Sequence, residues 1–214
     1  MLGKGAIVVE GLTEFHALPV AARMMEESDP TLQPLNIAGA AFFDAESESN
    51  MPKFGTFFKA LGLKTFSFYD LLGRTPEKKK LLTDAFDVDC EHPHAGFEAL
   101  VVNEMTVDRL WSFLDDLRES GDNGTFPIPA ARPADPEVKK LATSALKGSK
   151  GAGWAGRLFE GCGVAELPVS VTDFLKKVYA AFPKPADIAQ ETDPTLVPSA
   201  DVVGDALPPE VALV

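Results

Sequence analysis

The chain has 214 residues, 45% of them hydrophobic, which is enough to bury a sizeable core in one domain with an appendage or in two small domains. A formal net charge of −12 argues against a generally basic nucleic-acid-coating surface. The longest apolar runs fall far short of the roughly 18–20 residues that span a bilayer, and two cysteines, Cys90 and Cys162, are too few for a disulfide framework. Residues 186–214 carry six acids and no base, so half of the charge imbalance sits in a tail. The N-terminus lacks the charged and apolar regions of a secretory signal, and a cytoplasmic protein without a membrane segment is expected.

In chain order, residues 6–10 are a short β-rich apolar run, and 15–27 carry apolar residues at helical spacing, including Leu18, Ala21, Ala22 and Met25. Between them Gly11 reverses the chain, Thr13 is a candidate helix N-cap and Glu14 falls in the first turn, where a carboxylate is favoured. A second strand is predicted over 37–43. The next helix covers 50–61, with Phe54, Phe57, Phe58 and Leu61 as its apolar stripe and Gly62 as its stop. Strand three is 65–69, ending at Asp70; a helix over 76–84, a strand over 86–90, a short apolar segment over 97–102 and a helix over 107–119 complete the alternation. This β-α-β-α-β-α-β order predicts an α/β fold with a mostly parallel sheet flanked by helices, and a site beyond the carboxyl ends of the strands. A Gly, Asp and Pro-rich linker over 120–135 leads to a small helical subdomain over 136–183, with helices expected at 136–147, 154–162 and 171–182. A Pro, Ala and Asp-rich tail over 184–214 closes the chain.

Three carboxylates fall where a metal site needs them: Glu10 ending strand one, Glu14 four residues on, and Asp70 ending strand three. Strand ends of a parallel sheet converge, and hard cations such as Mg²⁺ or Mn²⁺ take oxygen ligands. Taken singly, Glu14 also reads as a helix-starting acid and Asp70 as the start of a turn. Glu10 is the sharpest of the three, because a carboxylate finishing the apolar run Ile7, Val8, Val9 must be solvated or bound; unpaired burial is costly. His92-Pro93-His94 lacks a clustered third ligand for zinc, the acids of Asp87-Val88-Asp89 read as outward residues of a strand, and Lys78, Lys79 and Lys80 read as an exposed helix face.

Val8-Val9-Glu10-Gly11-Leu12-Thr13-Glu14 resembles the E-G-x-T-E first motif of Toprim domains in OLD-family (overcoming lysogenization defect) endonucleases. The resemblance continues through 50–61, through Leu61-Gly62-Leu63-Lys64-Thr65-Phe66 into Asp70, through Gly96-Phe97-Glu98 and into the Lys and Gly-rich stretch 147–157, spanning about residues 5–182. It implies a Toprim-type core over 1–119 completed by the helical subdomain, and a nuclease that nicks and cleaves DNA with two divalent metals, Mg²⁺ or Mn²⁺. By the same resemblance Glu10, Glu14, Asp70 and Glu98 are the metal ligands and Lys150 is the catalytic lysine, with Lys147 as its rival and Arg157 as a further contact to the DNA backbone. Glu98 also reads as a helix-initiating acid.

Toprim domains place a second acid two residues after the first at the end of strand three, whereas here the chain reads Asp70-Leu71-Leu72-Gly73-Arg74. Leu72 stands where that acid is expected, and Asp44, Glu46 and Glu48 are candidates to compensate. The departure motivates a second reading, a catalytically degenerate Toprim module for assembly or DNA positioning. A small-molecule phosphatase or transferase ranks last, for want of a nucleophile elbow or a P-loop. OLD proteins carry an N-terminal ABC-type ATPase domain, and no Walker A motif occurs here, so the chain resembles a C-terminal catalytic fragment whose ATP dependence resides elsewhere. A homodimer is compatible with the resemblance.

Overall fold

The computed structural model of the chain describes residues 3–148 and 153–184. Lys150 and almost all of the predicted tail lie outside the described residues. Four strands form one sheet among those described: β1 (Gly5–Val9), β2 (Ala40–Asp44), β3 (Lys64–Tyr69) and β4 (Val88–Glu91). They run in the order β2-β1-β3-β4, and every neighbouring pair is parallel. The predicted α/β class with its parallel sheet is therefore the observed one.

Nine helices are described: α1 (Leu12–Ser28), α2 (Leu35–Ala38), α3 (Met51–Ala60), α4 (Pro76–Ala85), α5 (Phe97–Glu104), α6 (Val107–Ser120), α7 (Asp135–Gly148), α8 (Trp154–Glu160) and α9 (Val169–Ala180). None is long and apolar enough to cross a membrane. Strand alternation decides which side each helix takes. On β1, Ile7 and Val9 enter the larger core with Phe66 and Phe68 of β3, beneath α1, α2 and α5–α9; Ala6 and Val8 face the smaller core with Met51, Phe58, Leu82 and Ala85 of α3 and α4. With both faces covered, β1 is buried along its whole length, which is why it reads as a continuous apolar run. Helices α7–α9 enter the same core as α1 and α5, and Met1–Lys184 form one compact unit.

The predicted strand over 37–43 is corrected. Residues 35–38 form the short helix α2, Gly39 in the left-handed conformation (φ 77°) reverses the chain, and β2 starts only at Ala40. Thr13 is not an N-cap either: α1 begins at Leu12 with Gly11 at the cap position, and the Thr13 side chain is free for another bond. The acids flanking Val88 do structural work. Asp87 accepts from the backbone N–H and hydroxyl of Thr65, and Asp89 from the hydroxyls of Ser67 and Thr83, so both fasten the edge strand β4.

Helix α8 rests on α1 through a glycine. A Cβ placed on Gly156 would come within 2.8 Å of the His16 carbonyl oxygen, a backbone atom of α1 that cannot swing aside. Gly156→Ala is expected to force the helices apart and to cost about 1–3 kcal/mol, the usual range for overpacking. An unchanged urea midpoint would show that α8 does not seat on α1 this closely.

Candidate metal centre

Glu10 and Asp70 directly follow β1 and β3, neighbouring parallel strands paired up to Val9 and Phe68, so their carboxylates leave the sheet side by side. Glu14 lies in the first turn of α1 and Glu98 in the first turn of α5. All four line one cleft of about 290 Å³, together with Gly11, Phe97 and the loop residues Glu46, Ser47 and Glu48. The positions expected to converge thus do so, apart from the undescribed Lys150. Lys147 sits exposed in the last turn of α7.

Burial differs sharply within the cleft. Glu14 and Glu98 are 5% and 4% exposed. Burial pushes the Glu14 carboxyl up to about 8; a backbone N–H at its own position opposes this, and the charges of Asp70, Glu10 and Glu98 each add a smaller upward push. Glu10 is raised as well, first by burial and then by Asp70, with the Asp70 N–H and Arg74 opposing. Thr13 Oγ1 donates to Glu98 Oε1 at 3.1 Å, tying the start of α1 to the start of α5. Gly96 (φ 109°) provides the turn into α5, and a Cβ there would sit 3.5 Å from Glu98 Oε2 and 3.9 Å from Asp70 Oδ2; these two oxygens therefore share one side of the cleft.

The three acids proposed to compensate for Leu72 have different fates. Asp44 Oδ1 accepts from the Glu46 N–H at 2.7 Å in a local turn. Glu46 adopts φ 62°, a left-handed backbone uncommon outside glycine, and lines the cleft. Glu48 also lines it, but is bound at 2.7 Å by Arg74 Nε. Leu72 is 41% exposed. Arg74 escaped the sequence reading altogether; its only local signal was a lone arginine shortly after the strand-end acid. Its side chain is 2% exposed, pairs with Glu48 and Glu91, donates to the Asp70 carbonyl and lies over the Tyr69 ring at 4.5 Å.

The two histidines of 92–94 diverge. His92 is buried against Phe68 with Nε2 2.8 Å from Asp70 Oδ1, an ion-pair distance without hydrogen-bond alignment, whereas His94 pairs with Glu104. Arg157 pairs with Asp122 and Ser120 on the surface. Lys79 and Lys80 bond Glu91 and Asp84.

The donor set fits a hard divalent cation in kind. It is all oxygen, and the buried Glu10 Oε2 has no hydrogen-bond partner, a cost that a cation would remove. Among the described residues, no three His, Cys, Asp or Glu side chains are close enough to form a ready-made cage.

Residues 1–71, which contain β1, Glu10, Glu14 and Asp70, match the family described as overcoming lysogenization defect protein-like, TOPRIM domain. This segment is similar to OLD-like Toprim domains. The fold of the larger part of the chain is similar to two solved C-terminal regions of OLD proteins. The one from Burkholderia pseudomallei has a TM-score of 0.59 at 13% identity, covering 85% of this chain and 100% of that one. The one from Xanthomonas campestris pv. campestris has a TM-score of 0.55 at 12% identity, covering 84% and 94%. No curated protein matches the sequence significantly. Toprim domains as a class belong to nucleases, topoisomerases and primases and bind divalent metals.

Proposed function

We propose that the chain is the catalytic region of a divalent-metal-dependent DNA endonuclease of the OLD type, with an ATPase domain as its N-terminal partner in the full-length protein. The observation that carries this reading is the convergence of Glu10, Glu14, Asp70 and Glu98, from four separate elements, in one cleft at the carboxyl end of the sheet. The OLD-like Toprim match over the first 71 residues supports it. A net charge of −12 weighs against a broad DNA-coating face and suits a local grip on one phosphodiester.

Glu10, Glu14, Asp70 and Glu98 would hold Mg²⁺ or Mn²⁺, which supplies Lewis acidity toward the phosphate and lowers the pKa of water. The Thr13 hydroxyl holds Glu98 at the start of α5, so its orientation is fixed before substrate arrives, and Glu14 is placed by the first turn of α1. Lys150 is proposed to offset charge developing on the scissile phosphate.

The test is nicking of supercoiled plasmid. Glu14→Ala is expected to abolish metal-dependent nicking, a loss on the order of 100-fold or more for a residue so central to charge stabilisation. Wild-type nicking by a folded variant would sink the assignment. A second reading, a degenerate Toprim module that positions DNA or assembles without cutting it, is favoured by one observation: Leu72 turns outward where an acid is expected. Calorimetry in which no Mn²⁺ binds at millimolar concentration would favour it.

A further inference from the structure

The loop after β3 does more than omit an acid. Leu71 and Leu72 are exposed, the chain turns at Gly73, and Arg74 folds back beneath the cleft with its side chain 2% exposed. Its guanidinium bridges carboxylates from three other segments. Nε binds Glu48 Oε1 at 2.7 Å, Nη1 binds Glu91 Oε1 at 2.8 Å and the Asp70 carbonyl, and Nη2 stands 3.9 Å from Glu10 Oε2. The Tyr69 ring lies against it, with Arg74 Cζ 4.5 Å from the ring centroid. Glu91 is held from its other oxygen by Lys79. The arrangement places one fixed positive charge among carboxylates that belong to, or adjoin, the proposed metal centre.

We infer that Arg74 is a built-in counter-cation that takes the place of one of two divalent ions, so that the cleft loads a single metal. The inference rests on reading the cleft as a divalent-metal site. Charge balance and donor supply both point this way. A cation already joined to Glu48 and facing Glu10 repels a second ion brought to the same oxygens, and the low-dielectric surroundings of a buried guanidinium strengthen that repulsion. Glu48, one of the acids available to replace the missing ligand, is committed to the guanidinium. Glu14, Asp70 and Glu98 line the rest of the cleft and would hold the one ion, Asp70 with its Oδ1 2.8 Å from His92 Nε2 and Glu98 with one oxygen accepting from Thr13, while Glu10 lies at the boundary. Leu72 fits the same design, because with Arg74 in place a second acid after β3 is not needed to balance a second metal. Arg74 is a positioning residue: its side chain has almost no accessible surface with which to touch a substrate.

Isothermal calorimetry of the full chain with MnCl2, read beside its electron paramagnetic resonance spectrum, tests the stoichiometry. One Mn²⁺ per chain with an isolated-ion spectrum is expected. Two Mn²⁺ with an exchange-coupled spectrum would overturn the single-metal inference and leave the metal-site reading standing, whereas no binding at millimolar Mn²⁺ would overturn both. Arg74→Gln is expected to admit a second Mn²⁺, and Arg74→Lys, which keeps the charge, to remain at one. A folded Arg74→Gln protein that still takes one ion overturns the role given to the guanidinium. Should that variant fail to fold, the wild-type stoichiometry and Arg74→Lys decide.

Discussion

Replacing Glu14 with glutamine is expected to stabilise the metal-free protein at pH 8 while removing its thermal response to Mn²⁺. The folded-state carboxyl titrates at about 8 against an ordinary 4.5, because it is buried beside Asp70, Glu10 and Glu98. A carboxyl whose pKa is raised by folding adds stability while protonated. That contribution is fully present below pH 4.5 and is lost as pH rises through about 8. Glu10 is shifted in the same direction. The metal-free wild type should therefore lose thermal stability between pH 5 and 8, with Glu14 accounting for on the order of 3 kcal/mol. In a protein of this size that is roughly 6–12 °C in Tm. Glu14→Gln carries no charge to bury, so its melting temperature should vary less over this range. A wild-type Tm that is flat from pH 5 to 8 would contradict the burial of Glu14 among like charges. The same variant should gain little from added Mn²⁺, whereas the wild type should rise by the usual linkage to ligand binding.

Arg74→Ala has the second large expected effect. Removing one partner of a buried ion pair leaves the others charged and uncompensated, which typically costs 3–5 kcal/mol. Glu48 and Glu10 would be left in this state, and Glu91 would keep only Lys79. Chemical denaturation should show a loss of about 3–5 kcal/mol in the absence of divalent ions. Combining Arg74→Ala with Glu48→Gln and Glu91→Gln should recover part of that loss, because the unpaired charges go with the arginine. Additive losses in the triple variant would show that the guanidinium does not couple these acids. Mn²⁺ should raise the Tm of Arg74→Ala by more than it raises that of the wild type.

The local pattern of the chain foretold much of the fold because periodicity is a local property. The run Ile7, Val8, Val9 ends at Glu10 because β1 is covered on both faces and its tip opens on the cleft. The Phe54 to Leu61 segment announced α3, although Phe57 and Leu61 prove exposed while Phe58 enters the smaller core. Where one apolar stretch held two structures, pattern failed. Residues 37–43 divide at Gly39 into the end of a helix and a strand, and short apolar runs do not distinguish the two.

The meeting of Glu10 and Asp70 in one cleft could be anticipated from sequence because each follows an apolar strand of a parallel sheet, and such ends converge. Glu14 follows at helical spacing. Glu98 needed the family resemblance, since on local grounds it is also an ordinary helix-starting acid. Tertiary structure alone decided how these acids are wired. Thr13 reaches Glu98 across 85 residues of sequence rather than capping its own helix, and Asp44 is spent on a turn. Arg74, which the sequence reading passed over, is among the most buried side chains at the site. Its place depends on the path of the 71–75 loop and on acids brought from β4 and the loop before α3, none of which leaves a periodic trace. The sequence by itself determined the sheet, its helices and the acids at the strand ends; the folded chain decided which of those acids already has a cation.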